Sequence, residues 1–149
     1  MLAFKDSPRA RVRFRSNGNI TKQFRGATAR ERFANEVRVL RFLESKLCPF
    51  VPRLIHADPD QLEIDITHCG AAIQYLSPRK LEEIFSSLEA YGVRHEDQAM
   101  RNVTYLASDG RFCVIDFELA SIIDENNAVP HTTLRIEKSF DDIEKMLNS

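Results

Sequence analysis

The spacing of the apolar residues changes once, sharply, in the first third of the chain, and that change limits what it can fold into. Arg9, Arg11, Arg13 and Arg15 alternate with Ala10, Val12 and Phe14, the period of a strand with one charged and one apolar face. Asn17-Gly18 comes next, a pair that supplies the positive φ angles of a type I′ turn, so residues 11–16 and 19–24 read as a β-hairpin. On the second strand Ile20, Lys22 and Phe24 share a side, which sets an ammonium among apolar neighbours unless the hairpin twists. The period then lengthens. Thr28 and Glu31 make the pattern of a capping box, and Phe33, Val37, Leu40, Leu43 and Leu47 recur at helical spacing up to Cys48-Pro49.

Further along, Pro49 and Pro52 bracket a connector, and two short strands are expected at 54–57 and 62–67 around the turn Asp58-Pro59-Asp60. Ser77-Pro78 opens a second helix with Leu81, Ile84, Phe85 and Leu88 as its buried stripe, ending near Tyr91-Gly92. Strands at 103–106 and 112–115 flank the turn Ser108-Asp109-Gly110, and Ser139 with Asp142 caps a last helix over 139–148. Hairpin, helix, strands, helix, hairpin, helix is an α+β order. No internal repeat or low-complexity segment interrupts it.

At 149 residues and 43% hydrophobic content the chain can bury one sizeable core, so a single globular domain is expected. No apolar run approaches the ~20 residues that span a bilayer, and the N-terminal stretch has no hydrophobic block of a secretion signal, so a cytoplasmic protein is expected. Cys48, Cys69 and Cys113 are odd in number and lack CxxC spacing, which argues against a disulfide framework or a zinc site. His68 beside Cys69 reads as packing. Residues 1–41 carry eleven Lys or Arg against three Asp or Glu, a balance of +8, and the rest of the chain carries −9. The basic strand either faces the acidic part of the same chain or offers a surface to an anionic partner, a protein or a nucleic acid.

The polar stretch RHEDQAMRNV, residues 94–103, sets His95, Asp97 and Asn102 at intervals of two and five, and an apolar run ends soon after in VIDFE. Asp97, Asn102 and Asp116 supply hard oxygen atoms, a set that suits Mg²⁺, which keeps several waters and takes one or two carboxylates together with substrate phosphates. The same residues also suit a turn stabilised by Asp97 and Asn102, with Asp116 capping the next segment of chain. Together, H-x-D-x-x-x-x-N and a later D-F resemble the catalytic and metal-binding loops of the protein kinase superfamily. The likeness reaches upstream: Lys22 stands where the family has its strand lysine, Glu36 where the αC helix carries that lysine's partner, and Leu40 where an apolar residue stacks on His95 and Phe117. Ala99 and Arg101 make the loop similar to that of tyrosine kinases.

The resemblance implies a minimal bilobal kinase-like domain over 1–149. It would have an antiparallel N-lobe sheet with an αC-like helix over about 1–68, and a truncated, mostly helical C-lobe over about 72–149. It also implies an ATP- and Mg²⁺-dependent phosphotransferase acting on a hydroxyl of a protein Ser, Thr or Tyr or of a small molecule. Lys22 and Glu36 would hold the nucleotide phosphates, Asn102 and Asp116 the metal, Asp97 the acceptor hydroxyl and Arg101 the γ-phosphate. There are departures. The turn DSPRA, residues 6–10, has no glycine to bring backbone N–H groups to the phosphates, so Ser7, Arg9 or Arg11 would supply side-chain contacts instead. DFE replaces DFG, no activation segment or A-P-E comes after it, and these features are similar to minimal members of the RIO, Bud32 and lipopolysaccharide-kinase kind. A pseudokinase or binding module that holds a partner on its basic face is the competing expectation.

Overall fold

The computed structural model describes residues 4–123. Strands β1 (Phe4–Asp6), β2 (Ala10–Phe14), β3 (Ile20–Phe24), β4 (Leu54–Asp58) and β5 (Glu63–Ile66) form one antiparallel sheet in the order β1-β2-β3-β5-β4. Helix α1 (Ala29–Ser45) crosses it, packing on β3, β4 and β5. Lys22 stands at the middle of the sheet, opposite Val12 on one side and Ile64 on the other, so its stem is walled by apolar neighbours.

The remainder is built on smaller sheets. Strands β6 (Ala71–Ala72), β8 (Val103–Leu106) and β9 (Arg111–Val114) pair antiparallel in the order β6-β8-β9, and β7 (Val93–Arg94) pairs with β10 (Ser121–Ile122). Helix α2 (Pro78–Glu89) packs on β7 and β9. A 3₁₀ turn at Met100–Asn102 leads into β8. One continuous core joins both parts, running from Phe24, Phe33, Val37, Leu40 and Ile64 to Phe85, Leu88, Val93, Val114 and Phe117. Among the described residues the second part therefore holds one helix and five short strands instead of being mostly helical. The helix expected at 139–148 lies outside the described residues.

The chain departs from its sequence pattern at several points, each for a local reason. The Asn17-Gly18 connection is a three-residue loop. The Gly18 N–H donates to Arg15 O at 3.0 Å, Gly18 alone takes a positive φ (90°), and the Asn17 side chain accepts from the Asn19 N–H at 3.0 Å. That is a turn closed by a left-handed glycine in a bulge, the next most common hairpin solution after the two-residue type. The capping box at Thr28 does not form. Thr28 sits at φ 58° and makes no side-chain cap, because its hydroxyl accepts instead from Arg32 Nε at 3.1 Å. Leu47 drops out of the apolar stripe: the helix stops at Ser45, Leu47 turns left-handed at φ 59°, and its side chain faces solvent. Ser77 does cap α2, accepting from the Lys80 N–H at 3.1 Å. His68 packs edge-on against Phe14 beside the buried Cys69. No helix among the described residues is long and apolar enough to cross a membrane.

Candidate active site

Three elements converge on the Lys22 ammonium. Glu36 lies one turn beyond Arg32 and one turn before Leu40, so all three share the face of α1 that meets the sheet. Lys22 Nζ donates to Glu36 Oε1 at 2.7 Å and to Asp116 Oδ1 at 3.3 Å, and lies 3.5 Å from Glu118 Oε2. It also stands 4.7 Å from the centre of the Phe24 ring. Burial alone would lower the ammonium's pKa, but Glu36, Asp116 and Glu118 outweigh it and hold Lys22 above its ordinary value. Glu36 is pushed up, by burial first and by Asp116, with Lys22 opposing. At Asp116 burial works upward, yet Lys22 beside it wins and keeps the carboxyl below its ordinary value.

The segment after β9 is clamped to α1 by polar groups of that helix. The Phe117 N–H donates to Glu36 Oε2 at 2.9 Å, and Asn35 Nδ2 donates to the carbonyls of Glu118 and Ala120 at 3.0 and 2.9 Å. Arg32, fully buried, donates to Glu118 Oε2 at 3.3 Å and to the carbonyls of Arg9, Arg25 and Ala27. Asp116 takes a left-handed backbone (φ 68°), a conformation an aspartate tolerates and which this surrounding lattice of bonds over-determines.

The loop before β8 forms the other wall. Its rigidity starts at His95, which is buried edge-on between Phe85 and Phe117 with ring centres 5.2 and 5.3 Å away. Nδ1 accepts from the Asp97 N–H at 3.0 Å, so Nε2 carries the proton that faces Ile115 O at 2.9 Å. Leu40 is buried in the same core as Phe117. Asn102 Nδ2 donates to Asp97 O at 2.9 Å and to Asp97 Oδ2 at 3.1 Å, which leaves the amide oxygen as the atom Asn102 can offer to a metal. Arg101 pairs with the Asp97 carboxylate. The Ile115 N–H donates to Asn102 O at 2.9 Å, continuing the β8–β9 ladder and fixing Asp116 next to the loop.

The structure thus gathers Lys22, Glu36 and Asp116 around one centre, and ties Asp97, Arg101 and Asn102 to each other and, by backbone, to Asp116. Three participants escaped the sequence reading, Glu118, Arg32 and Asn35, and Arg9, expected near the phosphates, pairs here with Glu118. Glu118 registered only as the residue that breaks DFG, while Arg32 and Asn35 were not singled out at all. The available signal was their spacing, since Arg32 lies four residues before Glu36 and so on its face. Glu36, Asp116 and Glu118 each offer an oxygen within 4.8 Å of one another. Glu36 is occupied by Lys22 and Phe117, and Glu118 by Arg9, Arg32 and Lys22, so the partly exposed Asp116 and the Asn102 amide oxygen are the hard donors left to face a cation, a pair that fits Mg²⁺ carried with substrate phosphates. The basic strand is largely answered within the chain: Arg9 pairs with Glu118 at 3.0 Å, Arg11 with Asp6 at 3.6 Å and Arg13 with Glu63 at 3.5 Å.

No protein-family model matches this sequence, and no curated protein matches it. In three dimensions the chain has the protein kinase-like fold. It superposes on a Rio2 kinase from Chaetomium thermophilum, a crystal structure of that kinase's ADP/Mg²⁺-phosphoaspartate complex, with a TM-score of 0.53 and 15% identity, over 97% of this chain and 52% of that one. The chain therefore spans about half the length of that kinase.

Proposed function

We propose that the protein is an ATP- and Mg²⁺-dependent phosphotransferase built as a minimal bilobal kinase-like domain. The first lobe is the five-stranded sheet with α1 in the place of the αC helix, and the second begins near residue 69. One observation carries the reading: the Lys22 ammonium is held 2.7 Å from a carboxylate on α1 and 3.3 Å from Asp116. That geometry sets a permanent cation and an acidic metal ligand on the same small volume, the pairing a triphosphate with its metal requires.

The chemistry rests on the residues in place. Bound Mg²⁺ would screen charge on the phosphates, held by Asp116 and Asn102. Lys22 would meet the α and β phosphates while Glu36 fixes its stem. Asp97 would orient the acceptor hydroxyl and take its proton as the acceptor oxygen bonds to the γ-phosphorus and the bridging oxygen leaves with ADP. Asp97 is half-exposed, as an acceptor site requires, and its backbone is fixed by His95. Arg101, also exposed, would exchange the Asp97 carboxylate for the γ-phosphate. Positioning and charge stabilisation carry most of the barrier reduction in such transfers, so the reaction does not depend on a strong base.

The pairing of Arg9, Arg11 and Arg13 with carboxylates of the same chain supports this reading over a nucleic-acid module. The test is turnover. Wild-type protein incubated with Mg·ATP labelled at the γ-phosphate should release or transfer label, and Asp97→Asn should lower that rate at least ~100-fold while still binding nucleotide, the scale of a lost proton acceptor. Equal rates in the two proteins would defeat the assignment.

A further inference from the structure

The turn between β1 and β2 stands where a kinase-like fold would cover the phosphates, and it has no backbone donor to give. Ser7 N–H donates to Ala10 O at 2.9 Å, the Arg9 and Ala10 N–H groups both donate to Ser7 Oγ at 3.2 and 3.1 Å, and Pro8 has no N–H. The turn is also braced from below. Arg25 donates to Ser7 O and Arg9 O at 2.9 Å each, Arg32 donates to Arg9 O at 3.2 Å, and Gly26 lies so close that a Cβ there would fall 2.5 Å from Pro8 O. A peptide flip toward a ligand would break several of these bonds at once.

Three cations surround the Glu118 carboxylate: Arg9 at 3.0 Å, Arg32 at 3.3 Å and Lys22 at 3.5 Å. They differ in freedom. Arg32 is sealed in the core by backbone carbonyls of Arg9, Arg25 and Ala27, and Lys22 is held by Glu36, whereas the Arg9 side chain is 55% exposed. Its anchor is fixed and its guanidinium can turn. We propose that Arg9 is the phosphate ligand that this turn supplies in place of backbone N–H groups, exchanging Glu118 for the nucleotide's phosphates, an inference that rests on the phosphotransferase reading. The guanidinium fork suits the exchange, because it bonds a carboxylate or a phosphate through the same paired donors. Glu118 keeps Arg32 and Lys22 after Arg9 leaves, so the exchange strands no buried charge.

The experiment compares Mg·ATP with adenosine on the full chain. Arg9→Ala should raise the dissociation constant for Mg·ATP about tenfold, the scale of one charge-assisted contact, and leave that for adenosine unchanged. Arg9→Lys should fall between, and Arg13→Ala, whose partner is Glu63 on β5, should match wild type. If wild type binds both ligands and Arg9→Ala binds Mg·ATP as tightly, or loses adenosine in equal proportion, Arg9 is not a phosphate ligand. If wild type binds neither, the phosphotransferase reading goes first and this inference with it.

Discussion

Asp116 combines a left-handed backbone with a carboxyl held below its ordinary pKa, and both arise from its surroundings. The backbone is fixed because the next residue's N–H is bound by Glu36, and the carboxyl is lowered because Lys22 stands 3.3 Å away. A carboxyl whose folded pKa is depressed contributes stability that is fully present above its unfolded value, ordinarily 3.8, and is lost as pH falls through the lower folded value. Glu36 acts in the opposite sense, since its raised pKa favours folding on protonation, but its window lies above its own ordinary value of 4.5. The Asp116 effect can be isolated as the difference in unfolding free energy between wild type and Asp116→Asn. That difference is expected to favour wild type above about pH 4, by under ~1 kcal/mol because the side chain is partly exposed and screened, and to shrink toward pH 2. A difference that stays constant or grows would show that Lys22 does not hold this carboxylate. Lys22, Glu36 and Asp116 were legible in the sequence because the resemblance to the kinase loops assigns each a place on a strand, a helix or a strand end. Glu118 and Arg32 were not, because a charge on such an element reads as solvated until its partner, 86 residues away, is known.

At the level of elements, residues that repeat were readable and residues that merely meet were not. The hairpin and the two helices declared themselves through period and, for α2, through Ser77-Pro78. Strands β6, β7 and β10 have two residues each and carry no period at all. They exist through tertiary pairing, as where Ala71 and Ala72 lie opposite Tyr105 and Thr104. Two glycines show the same contrast energetically. Gly18 has φ +90° and open space around its missing side chain, while Gly70 has φ +101° and would place a Cβ 2.1 Å from the Tyr105 carbonyl oxygen. Gly18→Ala should therefore cost only backbone strain, about 1 kcal/mol. Gly70→Ala should cost more than ~2 kcal/mol, since β6 must separate from β8 and the Thr104 hydroxyl bond to Cys69 O at 2.6 Å is threatened. Urea unfolding of the two variants gives the comparison, and equal losses would mean that the β6–β8 contact is easily relaxed. The Gly70 change should also disturb residues 97–102, because β8 is the strand that fixes the loop's far end.

Across the whole molecule, the five-stranded sheet with α1 and the part built from α2 and β6 to β10 are joined on one side by the shared core and on the other by the ion pairs around Lys22 and Glu118. The sequence pattern could anticipate the hairpin and α1 in the first part and, in the second, α2 and the β8–β9 pair. It could not anticipate how their charges balance, which depends on long-range pairs such as Arg9 with Glu118. This balance predicts how a ligand acts on stability. Glu118 is answered by Arg9, Arg32 and Lys22, whereas Asp116 meets Lys22 at 3.3 Å and is partly exposed, so a metal bound with a triphosphate would add cation at Asp116 and phosphate where Arg9 and Lys22 can reach it. A ligand that binds only the folded chain at a hundred times its dissociation constant stabilises it by ~2.7 kcal/mol. For a domain near this size each kcal/mol is worth roughly 2–4 °C. Saturating Mg·ATP should then raise the melting temperature by about 5–10 °C. ATP with excess chelator should raise it far less, because without a metal the Asp116 carboxylate repels the bare phosphates. Asp116→Asn should lose most of the difference between the two conditions, since it removes the proposed metal ligand and leaves Lys22 in place. Equal shifts with and without Mg²⁺ would mean that phosphate meets Lys22 and Arg9 alone, and no shift at millimolar Mg·ATP would leave the cluster as a purely structural joint between the two parts.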